Sequence, residues 1–132
     1  MQRLELHSNA FHDGEPIPVD HTDDGANRSP ALGWSEPPPG TREFVLIVDD
    51  PDAPTPKPWV HWVLYGIPAD CRGLPEGVPA VGEPLEPRGS RQGKNSFGKL
   101  GYGGPAPPRG HGVHHYHFRL YAIDAPLNYP VG

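Results

Sequence analysis

The sequence predicts a mostly β fold with few short helices, and three observations carry that reading. Apolar, β-rich runs fall at residues 44–48, 59–67 and 116–123. The 20 prolines and 17 glycines of the 132-residue chain cluster between those runs, as turn punctuation does, instead of filling a low-complexity tail. No window keeps a 3.6-residue period with capping signals at its ends. The length fits one domain, 1–132, with a single core burying roughly two-thirds of the surface of the unfolded chain.

Taken in order, residues 4–11 read as a first strand ending at the Asp13-Gly14 turn, and residues 17–19 as a second, short one. The polar stretch 20–30 reads as a loop rich in Asx-type turns, in which side chains bond to nearby backbone amides. Asp23 and Asp24 lack the spacing of a calcium loop. Phe44-Val45-Leu46-Ile47-Val48 is apolar at both parities, which predicts a central strand buried on both faces. It runs into Asp49-Asp50-Pro51-Asp52-Ala53-Pro54, where proline ends regular pairing. Residues 59–65 form the next strand, closed by Gly66 and Pro68. Residues 70–91 read as loop, 98–110 as an extended Gly/Pro segment, and 114–123 as the last strand.

The formal charge of −5 and pI near 5.8 argue against a general nucleic-acid binder, and Lys and Arg do not bunch into a local run. A single cysteine, Cys71, excludes an internal disulfide and fits a reducing compartment. Residues 1–11 lack the apolar region of a secretory signal, and no apolar run approaches the ~20 residues of a membrane helix. The expectation is a soluble, cytoplasmic protein.

Three pieces of sequence carry chemistry. They are Asp50-Pro51-Asp52-Ala53-Pro54, Trp59-Val60-His61-Trp62, and the stretch from Gly101-Tyr102-Gly103-Gly104-Pro105 through Pro107-Pro108-Arg109-Gly110 to His114-His115-Tyr116. On strands, Trp59 shares a face with His61, and His114 with Tyr116. Imidazole N–H and phenol O–H groups suit a phosphate or sulfate oxygen. Glycines let backbone approach a ligand, and prolines keep the loop stiff. Asp50 is expected to orient His61 or His114 and to favour the charged imidazolium. By parity, His115 and His117 lie opposite His114 and Tyr116 and, with His111, are expected to be dispensable. The histidine cluster, or His61 with His114 and Asp50, invites a metal reading, but no His-Glu-x-x-His or cysteine pair accompanies it, so neither metal nor cofactor is expected. Asp50 and Asp52 as an acid/base pair, or a serine nucleophile, find no supporting pattern.

These motifs, with Ser29-Pro30-x-Leu32-x-Trp34 before them and Leu120-Tyr121-Ala122-Ile123-Asp124 after, resemble the phosphatidylethanolamine-binding protein (Raf kinase inhibitor protein) family, in its bacterial and archaeal YbhB/YbcL-like branch. The resemblance implies a large central antiparallel sheet with a smaller sheet packed beside it. It also implies an anion pocket at one end of the sheet, built by Asp50, Pro54, Trp59, His61, Gly104, Pro107, Pro108, His114 and Tyr116. A cis peptide is expected at Ala53–Pro54 or Lys57–Pro58. Family members continue past the position of Asp124 into a C-terminal helix and strand, whereas this chain stops at Pro130-Val131-Gly132. The expected domain lacks both elements.

The resulting expectation is a binding or regulatory protein, not an enzyme, that holds a phosphate-bearing small ligand or phosphopeptide and acts on a protein kinase or peptidase. The alternative is a metal- or His/Asp-dependent hydrolase using the same pocket. A homodimer, with a second copy over the surface the C-terminal helix would cover, is the remaining partner expectation; neither nucleic acid nor a membrane span is expected.

Overall fold

The computed structural model describes residues 2–4, 6–8, 28–50, 59–79, 81–84, 89–104 and 116–125. These contain no helix and eight strands: β1 (Gln2–Leu4), β2 (Leu6–His7), β3 (Leu32–Trp34), β4 (Glu43–Asp50), β5 (Trp59–Pro68), β6 (Gly73–Leu74), β7 (Arg91–Gln92) and β8 (His117–Ile123). They form two antiparallel sheets, a five-stranded one ordered β1-β8-β4-β5-β7 and a three-stranded one ordered β2-β3-β6. The expected large sheet with a smaller one beside it is the observed architecture.

Alternation along β4 explains where the core lies. Phe44, Leu46 and Val48 point to one face and pack with Trp62, Leu64, Ile67, Leu120 and Ala122 from the same sheet. Leu32, Trp34 and Leu74 close the cluster from the smaller sheet, with Trp34 edge-on to Phe44 at 5.4 Å. Each fully buried apolar side chain contributes roughly 1.5–3 kcal/mol. The Trp34 indole N–H, which enters the core with the ring, donates to the Cys71 carbonyl at 3.0 Å. Val45 and Asp49, of the opposite parity, are also buried, as expected of a central strand.

Two boundaries differ from the sequence reading. The first strand, expected over 4–11, is divided: β1 pairs with β8 in the large sheet, and β2 pairs with β3 in the small one. Residues 2–4 and 6–7 thereby belong to different sheets. The second difference lies in β5, which continues through Gly66 to Pro68. Phe44 pairs with Ile67 and Leu46 with Leu64, so β5 carries an extra residue here. Gly66 absorbs it at φ +68°, and a side chain there would also approach the Gly89 carbonyl at 3.0 Å. Pro68, which has no N–H to give, falls at the strand's last position.

Strands β3, β6 and β7, two or three residues each, were not expected as strands; β6 lies within the 70–91 stretch read as loop. β8 begins at His117, directly after Tyr116. The expected strand at 17–19 and the proposed cis bonds lie outside the described residues.

Candidate functional site

Antiparallel pairing brings the end of β4 and the starts of β5 and β8 to one end of the large sheet. Asp50 pairs with Trp59, and Asp49 with both Val60 and His117. Asp50, Trp59, His61 and Tyr116 are gathered there by topology alone.

His61 occupies an irregular position. Val48 pairs with Trp62 while Asp49 pairs with Val60, so His61 is the extra residue of a β-bulge. Bulges re-aim side chains and recur beside functional sites. His61 is only 4% exposed. Tyr116 stands edge-on to it at 5.4 Å, and Phe97 at 5.8 Å. Phe97 also meets Trp59 at 5.3 Å, so Trp59 and His61 share a neighbour, as their shared strand face requires.

Phe97 is placed by a loop that Asn95 organises. The buried Asn95 amide donates to the Gly101 carbonyl at 2.9 Å, and its side-chain oxygen accepts from the Phe97 and Lys99 backbone amides. This is the Asx-type closure that asparagine favours. The loop is fastened to β5 by Ser96, whose N–H donates to the Val60 carbonyl at 2.7 Å and whose hydroxyl accepts from the Val60 N–H at 2.8 Å. A second tie joins Gly103 N–H to the His61 carbonyl at 2.8 Å. Gly103 makes room for this packing: a Cβ there would lie 2.7 Å from the Phe97 ring and 3.2 Å from the Asn95 amide nitrogen.

The imidazole itself is oriented by this loop. Nδ1 lies 2.6 Å from the Gly103 carbonyl, which can only accept, so Nδ1 carries the proton. Asp50 favours the charged form, as expected, but a larger effect opposes it. Burial pushes the His61 pKa below its usual value, and the Gly103 bond and the Asp50 and Asp49 carboxylates oppose that shift without reversing it. Tyr102, edge-on to Trp62 at 5.5 Å, is likewise held neutral, its pKa raised by burial and then by Tyr116.

Of the nine residues expected to build the pocket, the structure brings Asp50, Trp59, His61 and Tyr116 together, and places Gly104, buried, at the end of the same loop. Pro54, Pro107, Pro108 and His114 lie outside the described residues, as do His111 and His115; His117 is exposed. Among the described residues no group of three or more His, Cys, Asp or Glu side chains is arranged to hold a metal. Sequence reasoning missed Asn95, Ser96 and Phe97; an Asn three residues before Gly98 was the available turn signal. It also missed Asp49, whose two carboxylate oxygens accept from one Arg119 nitrogen at 2.7 and 2.9 Å.

The fold and this histidine-centred sheet end define a recognisable class. The family model described as Phosphatidylethanolamine-binding protein matches residues 7–132, and the chain belongs to that family. Its YbhB/YbcL character is equally plain. It is 48% identical over 130 residues to a UPF0098 protein of Aquifex aeolicus, covering 98% of this chain and 74% of that one. The UPF0098 protein YbhB of Escherichia coli is 44% identical over 126 residues, 92% of this chain and 78% of its own length. The crystal structure of E. coli YbcL, described as a member of the mammalian PEBP family, matches with a TM-score of 0.89 at 36% identity, over 97% of this chain and 82% of that one. Among the described residues no helix is long and apolar enough to cross a membrane. One relative, LppC of Mycobacterium tuberculosis, 42% identical over 129 residues (98% of this chain, 60% of its own), is named as a candidate lipoprotein, so the family's naming does not fix a cytoplasmic location.

Proposed function

We propose that this protein is a cytoplasmic binding or regulatory protein, not an enzyme, whose His61 site takes an anionic, phosphate-bearing group. The observation that carries the reading is the partition of charge. Residues 87–123 hold six of the eleven Lys and Arg (Arg88, Arg91, Lys94, Lys99, Arg109 and Arg119) and none of the sixteen Asp and Glu. That acid-free stretch supplies the Asn95 loop, Gly103, Gly104 and Tyr116, and Lys94 and Lys99 are exposed on the loop. Exposed cations on an acid-free loop of an acidic chain draw anions towards that loop. Of the two carboxylates that act on His61, Asp49 is paired with Arg119. The family's name supports a lipid headgroup; a phosphorylated side chain offers the same group, and through it the protein would inhibit a kinase or peptidase.

Calorimetric titration with inorganic phosphate tests the reading. Binding should weaken with added salt and drop severalfold in the Lys94→Glu/Lys99→Glu double variant. An intact protein that takes up no phosphate at low salt would sink it.

A further inference from the structure

We draw no further inference here: the strongest candidate, the surface patch formed by the exposed Phe97 ring with the exposed Lys94 and Lys99 on the Asn95 loop, belongs to the site already described, since Phe97 packs against Trp59 and His61, and nothing in the structure shows what covers it.

Discussion

His61 and Gly103 hold each other by two hydrogen bonds running in opposite directions. The Gly103 N–H donates to the His61 carbonyl at 2.8 Å, and the His61 Nδ1–H donates to the Gly103 carbonyl at 2.6 Å. The first bond ties a loop to a strand, and the second fixes a side chain to that same loop. The geometry of the imidazole is thus a property of backbone position, and Phe97, packed over both residues, holds the loop at that distance.

A methyl group at residue 103 tests that dependence. Gly103→Ala drives a Cβ into the Phe97 ring, and overpacking of this kind costs about 1–3 kcal/mol. Because Phe97 is 44% exposed, its ring can swing outward, which puts the cost at the lower end. Chemical denaturation should show part of the loss recovered in Gly103→Ala/Phe97→Ala. A double variant less stable than the sum of the two single changes would contradict the contact.

The lowered pKa of His61 sets a pH dependence of stability with a definite sign. The unfolded chain binds the proton near 6.5, and the folded protein only at lower pH. Its contribution is therefore complete above about 6.5 and is lost as pH falls toward the folded value. Unfolding free energies measured between pH 5 and 8 should decline on the acid side, and the decline should be shallower in His61→Asn. A steeper slope in the variant would reverse the assignment.

Gln92, in β7, is fully buried. Its side-chain oxygen accepts from the Trp62 indole N–H at 2.6 Å, and its amide donates to the Pro79 and Val81 carbonyls at 2.7 and 2.8 Å. Gln92→Leu keeps most of the volume and strands all three partners, at a cost of about 2–4 kcal/mol. Trp62 fluorescence during denaturation reads the loss directly; a cost below about 0.5 kcal/mol would mean the partners find others.

Arg119 is the cation of Asp49, and it also bonds to Tyr121. Arg119→Met leaves the Asp49 carboxylate, 10% exposed, without its cation, and should cost about 1–2 kcal/mol, less than for a fully buried pair because Arg119 is 29% exposed. Adding Asp49→Asn should restore part of that. Strict additivity in the double-variant cycle would show that the pair is not coupled.

The sequence by itself determined the framework. Residues 44–48, 59–65 and 114–123 read as strands because β-branched and aromatic residues there leave little alternative, the last beginning at His117 in the structure, and period-2 alternation put Trp59 and His61 on one face. The ordered motifs around Asp50, His61 and Gly103 marked the family. The tertiary structure decided what depends on more than one segment. Three short strands carry too few residues for any period to show, and pairing alone makes them strands. The split of the first strand between two sheets follows from Leu120 and Trp34, partners far away in the chain. Phe97 reaches the site only because Asn95 folds its loop back on β5. The sign of the His61 shift was legible in no local pattern: nearby carboxylates argue for a charged ring, but a bulge and two aromatic neighbours remove it from water, and desolvation outweighs their attraction.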